Sequence, residues 1–109
     1  MCGIVAVIDS NRTIDEERLY QMADTIRYRG PDDQGIYIDG NIGLAHNRLS
    51  ILDLSEKGHQ SMASKDEKLW IIYNGEVYNF KEIRSELQSK GYSFISNTDT
   101  EVVLKAYEE

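Results

Sequence analysis

The chain has 109 residues, 40% of them hydrophobic and 28% charged, and its 12 Lys and Arg against 19 Asp and Glu give a formal net charge of −7. This is the size and composition of one small globular domain, and the acidic balance excludes a general nucleic-acid binder or a polybasic membrane anchor, which need basic patches to meet phosphates. No apolar run is long enough to span a bilayer, the first residues lack a signal peptide's basic region, and one cysteine with two separated histidines makes neither a disulfide nor a zinc cluster; a cytoplasmic protein without a metal is the expectation.

Residues 4–8 form a continuous apolar run rich in β-branched side chains, which predicts a buried strand. Thr13 followed by Glu16 is a capping box. Leu19, Met22, Ala23 and Ile26 then share one face of a helix that ends near Arg27. Pro31 forbids its continuation. Residues 35–38 and 42–49 flank Asp39-Gly40-Asn41 and predict a hairpin. The polar residues 53–68 read as a long loop, residues 69–73 as a strand, and residues 76–78 as its continuation beyond Asn74-Gly75. Asn79 caps a helix with Phe80, Ile83 and Leu87 on one face, and Gly91 stops it. After a short strand over 92–95, Thr98 or Asp99 caps a last helix whose apolar side is Val102, Val103, Ala106 and Tyr107. That helix ends Tyr107-Glu108-Glu109 with no C-terminal cap and two carboxylates where the helix dipole disfavours them, so the chain is expected to be cut.

Cys2, taken alone, is a small core residue leading into a strand. Its position opens another use. If Met1 is cleaved, which a small second side chain permits, Cys2 becomes the chain terminus. A free α-amine titrates close to neutral pH and can accept a thiol proton. If Met1 stays, the same nitrogen is an amide and cannot act as a base. Other positions carry two readings each. Asn74-Gly75 is a hairpin-turn signal, Arg48 suits a surface ion pair, and Asp99 suits a helix N-cap. His46 is in phase with Ile42 and Leu44 and reads as a core histidine. Arg27, Arg29 and Asp32 surround the forced turn at Pro31 and are assigned to bracing it.

Five segments occur in order: Met1-Cys2-Gly3-Ile4-Val5, Arg27-Tyr28-Arg29-Gly30-Pro31-Asp32, Arg48-Leu49-Ser50-Ile51-Leu52-Asp53, Asn74-Gly75-Glu76-Val77-Tyr78-Asn79 and Asp99-Thr100-Glu101-Val102. Together, over essentially the whole chain, they closely resemble the class II glutamine amidotransferase domain of glutamine-hydrolysing asparagine synthetases. Ser61 departs from that branch, which usually has proline there. The resemblance implies an α/β fold, the αββα sandwich of N-terminal nucleophile hydrolases, in which antiparallel sheets stack between helices. Complete domains of that kind are nearly twice as long, so residues 1–109 are expected to be an N-terminal portion, with the rest of the sandwich and the synthetase domain absent.

The resemblance also implies roles. Cys2 is the nucleophile and, through its α-amine, the base. Asn74 and Gly75 form the oxyanion hole. Arg48 grips the α-carboxylate of glutamine with its planar fork, and Asp99, helped by Glu76, holds the ammonium. Glutamine hydrolysis is expected to need no cofactor, ATP and Mg²⁺ belonging to the synthetase domain. Open sheet edges in a partial sandwich predict self-association. Two rival readings stay open: a catalytically inert fragment or interaction domain, and a class II amidotransferase with a different ammonia acceptor.

Overall fold

A computed structural model describes all 109 residues. Its centre is a three-stranded antiparallel sheet in the order β1-β3-β2, built from β1 (Gly3–Ile8), β2 (Asp33–Asp39) and β3 (Ile42–Arg48). Helix α1 (Glu16–Asp24) covers one face. Leu19, Ala23 and Ala45 form the buried centre of that layer, with Val5, Val7, Ile14, Ile36 and Ile38 packed around them. Small residues on β3 let the helix sit close. A Cβ on Gly43 would lie 2.9 Å from Ile14 and 3.1 Å from Leu19.

The apolar run of β1 is therefore buried on one face only, not on both. Val5 and Val7 turn inward, while Ile4 and Ile8 are 47% and 76% exposed. The cap of α1 also differs from the expected Thr13-Glu16 box. Asp15 is the N-cap and accepts from the Glu17 N–H at 3.1 Å. The Ile14 N–H is already bonded to the Gly40 carbonyl at 2.9 Å. That tether holds the approach to the helix against the β2–β3 hairpin, so helix formation waits until Glu16. The hairpin itself closes as expected, with Asp39 paired to Ile42 across Gly40-Asn41. Gly40 has φ 55°, a left-handed turn conformation that glycine adopts without a Cβ penalty.

Residues 53–73 pack on the other face of the sheet, and they are more structured than a polar loop. They contain a 3₁₀ turn (Glu56–Gly58) capped by Ser55, and a two-stranded antiparallel ladder of β4 (Met62–Ala63) and β5 (Trp70–Ile71). Tyr37 of β2 stacks on Trp70 with ring centroids 3.7 Å apart. A Cβ on Gly35 would collide with the Gln60 carbonyl and the His59 ring, so the two layers touch through glycine.

Helices α2 (Phe80–Ser89) and α3 (Asp99–Glu108) follow. Neither 76–78 nor 92–95 is a strand, because their amides are already used. The Val77 N–H goes to Asp99, and the Ile95 and Ser96 N–H groups go to the buried Glu101 carboxylate. Asn79 stands at the start of α2, but its side chain makes no capping bond. Thr98, not Asp99, caps α3, accepting from the Glu101 N–H at 3.3 Å. The buried side of α3 is polar at its start: Asp99, Thr100 and Glu101 are buried with Val102 and Leu104, whereas Ala106 and Tyr107 are exposed. Glu109 finds a counter-ion in Lys90 at 2.9 Å, which offsets the unfavourable helix-end charge. No helix is long and apolar enough to cross a membrane.

Candidate active site

β1 and β3 end side by side, with Gly3 opposite Asn47. That register puts Cys2 next to the chain leaving β3. The half-buried Cys2 sulfur receives the Leu49 N–H at 3.3 Å. Arg29 donates through Nε to the Cys2 carbonyl at 3.3 Å. The arginine assigned only to bracing the Pro31 turn thus holds the backbone of the residue carrying the thiol. The close approach is possible because Gly30 leaves no Cβ between its own backbone and that of Asn47 and Arg48.

Beside Cys2 opens a cavity of about 600 Å³. Its wall includes Cys2, Arg48, Asn74, Gly75, Glu76 and Asp99, so the fold brings every predicted site residue to one place. Met1 also lies on this wall. The two charged groups expected to face an amino acid are both buried, at 6% exposure each. Arg48 is not in a surface ion pair. Its Nη1 donates to the Ser55 carbonyl at 2.8 Å and its Nη2 to the Asp53 carbonyl, and no carboxylate lies within ion-pair distance. Asp99 receives the Val77 N–H on Oδ2 at 3.0 Å and has no cationic partner. A buried guanidinium and a buried carboxylate, each lacking a counter-charge, are costly unless a ligand supplies one.

Asn74 and Gly75 do not form a hairpin turn. They lie in an open segment between β5 and α2. The residue before them is held on both sides. The Tyr73 N–H donates to Gln60 Oε1 at 2.6 Å, and the Tyr73 carbonyl accepts from His46 Nε2 at 3.0 Å. Gln60 in turn donates to Thr100 Oγ1 at 3.0 Å, joining this segment to the first turn of α3. The Tyr73 ring folds back so that a Cβ on Gly75 would lie 2.8 Å from its hydroxyl. Burial, then the charges of Asp99 and Glu76, raise the Tyr73 pKa, so the phenol stays protonated.

His46 is a core histidine, 1% exposed. The bond to a carbonyl requires a proton on Nε2, which leaves Nδ1 as a bare acceptor without a partner. Burial is the main cause that lowers its pKa, and the Arg48 charge adds to it. His46 is therefore neutral at neutral pH and serves as a fixed donor. Gln60 and Tyr73 had no signature in the sequence, and Arg29 and Asp53 fall in the recognised segments without a site role, because each works through a contact with a residue remote in the chain.

The whole chain, residues 1–109, matches the glutamine amidotransferase domain family. Asparagine synthetase [glutamine-hydrolyzing] 1 of Bacillus subtilis strain 168 is 46% identical over 111 residues, a match that covers 98% of this chain and 17% of that protein. A putative asparagine synthetase [glutamine-hydrolyzing] 2 of Methanocaldococcus jannaschii is 41% identical over 125 residues, covering 98% and 24%. Asparagine synthetase [glutamine-hydrolyzing] 1 of Arabidopsis thaliana is 36% identical, covering 100% and 18%. The chain thus spans only 17%, 24% and 18% of these three relatives. A match over its full length, together with these relatives, establishes that the chain belongs to the glutamine amidotransferase domain family.

Proposed function

We propose that this chain forms the glutamine-binding face of a class II amidotransferase, hydrolysing glutamine to glutamate and ammonia with Cys2 as N-terminal nucleophile. The observation that carries the reading is the cavity holding Arg48 and Asp99, both buried and neither paired, beside a cysteine thiol. Free glutamine supplies a carboxylate, an ammonium and an amide on one small molecule. Arg48 takes the first and Asp99, with Glu76, the second.

The chemistry starts when removal of Met1 exposes the α-amine of Cys2. The amine accepts the thiol proton, and the thiolate attacks the amide carbon. The Asn74 side-chain NH₂ and the Gly75 N–H receive the oxyanion. Ammonia leaves with a proton, a glutamyl thioester remains on Cys2, and water releases glutamate. Hydrolysis by this route uses no cofactor. In the full-length protein the ammonia would pass to a synthetase domain that uses aspartate and ATP with Mg²⁺; the relatives' names, which pair glutamine hydrolysis with asparagine synthesis, support that destination for the ammonia. The stacking of α1, the β1-β3-β2 sheet, the β4–β5 ladder and α3 supports the αββα plan of N-terminal nucleophile hydrolases.

Glutamate release from glutamine, in a sample whose intact mass shows that Met1 is gone, tests the reading. Cys2→Ala is expected to abolish release, and Asn74→Ala to lower kcat by about 100- to 1000-fold. No release from the Cys2-started wild type would favour an inert fragment or interaction domain. Release uncoupled from asparagine formation in the full-length protein would favour another acceptor.

A further inference from the structure

Arg48 ends β3 and Asp99 begins α3, so neither element sets the spacing between the two charges. One buried residue, Asp53, links them through its main-chain carbonyl and its carboxylate. The Asp53 carbonyl accepts from Arg48 Nη2. Asp53 Oδ2 accepts the Asn97 N–H at 3.0 Å, in the turn that leads through Thr98 into Asp99. Asp53 Oδ1 accepts the Ser55 N–H at 2.8 Å and its hydroxyl at 2.5 Å, closing the bend whose Ser55 carbonyl takes the second Arg48 bond. On the far side, Glu101 fastens Ser96, and Ser96 meets Thr98 at 2.9 Å. Asp53 is 8% exposed and does not line the cavity. Its donors hold the carboxyl ionised, with a pKa lowered to about 2 by the Ser55 hydroxyl, then the Asn97 and Ser55 N–H groups. A satisfied buried network of this kind is rigid.

Resting on the glutamine reading above, we propose that Asp53 is a positioning residue that sets the gap between the carboxylate grip of Arg48 and the ammonium grip of Asp99. The site would then select amides that carry both charges on one carbon over amides that carry only one. Asn at this position keeps the size but replaces one acceptor oxygen with an NH₂, so the Ser55 and Asn97 donors can no longer both be met.

The test is ammonia release by the longest natural chain containing this sequence, with Met1 removal verified by intact mass. Wild type, Asp53→Asn and the control Asp66→Asn would each be assayed with glutamine, with glutaramate, which lacks the ammonium, and with 4-aminobutanamide, which lacks the carboxylate. Asp66 is another turn carboxylate, bonded to Ser64 and Lys68 outside the cavity. Asp53→Asn is expected to raise the glutamine KM about ten- to a hundredfold, the range for losing a hydrogen bond to a charged group. Its kcat should stay within about threefold, and its preference for glutamine over the one-charge amides should fall by a similar factor; Asp66→Asn should change neither. Unchanged KM and preference in Asp53→Asn would overturn the proposal. So would a loss of apparent kcat at unchanged KM that tracks lost folding by circular dichroism, since that marks a purely structural role. If verified wild type releases no ammonia, the glutamine reading itself fails, and the Asp53 assignment falls with it.

Discussion

At the scale of single residues, the site is organised by buried polar groups that act on neighbours' backbones. His46 shows how such a group leaves a measurable trace. Its folded pKa is lowered, chiefly by burial, so below the usual histidine range the unfolded chain takes up a proton that the folded chain resists. Its contribution to stability is therefore complete above about pH 6.5 and is lost as pH falls below that value. Denaturant titrations from about pH 7.5 to 5 should show stability declining with acid, and His46→Gln should flatten part of that slope. An unchanged slope would mean that His46 titrates normally in the folded protein. Arg48 makes the complementary point. Its two bonds to main-chain carbonyls fix the guanidinium without neutralising it, so the charge remains for a ligand.

At the scale of elements, caps and glycines decide where chains cross. Thr98 receives the Glu101 N–H and touches the Ser96 hydroxyl, so it starts α3 and anchors the turn before it. Thr98→Ala should cost about 1 kcal/mol through the lost cap. Ser96 keeps its bond to the Glu101 carboxylate, so the cost should not grow much beyond that; urea unfolding would measure it, and a loss within about 0.3 kcal/mol would show that Asp99 can take over the cap. Gly35→Ala should be worse, since the new methyl would meet a backbone carbonyl rather than the end of a flexible side chain. Separation of the β2 face from residues 59–60 should appear as a changed environment for the stacked Tyr37–Trp70 pair, read by near-ultraviolet circular dichroism. A native spectrum and midpoint would contradict the close packing described at Gly35.

At the scale of the whole molecule, the sheet has a covered and an uncovered region. Ile4 and Ile8 point outward from β1, an edge strand of its sheet. Exposed apolar side chains on an unpaired edge favour strand-to-strand association. Sedimentation velocity of the 109-residue chain is expected to show concentration-dependent association, reduced by Ile8→Lys; a monomer at every concentration would exclude it. The acid response is also collective. Asp53 and Asp66 have lowered folded pKa values, each mainly through a serine hydroxyl. For Asp53 the stabilisation is complete above about pH 4 and is lost as pH falls toward about 2, so Asp53→Asn should flatten part of the acid unfolding curve in that window.

Much of this protein was legible in its residue order because local chemistry decided it. The Gly40-Asn41 turn, the amphipathic stretch of α1 and the placement of α2 follow from periodicity and turn preference, and the ordered motifs were sufficient to name the family. Where amides had remote partners, local pattern misled. Val77 and Ile95 could not enter strands because Asp99 and Glu101 take their N–H groups. Thr13 gave way to Asp15 because Ile14 is tied to the hairpin. The residue types at Cys2, Arg48, Asn74 and Asp99 were chosen by the sequence alone. That Arg48 and Asp99 are buried, unpaired and tied through Asp53 was decided only in three dimensions, because burial and long-range hydrogen bonding are properties of packed elements rather than of any segment.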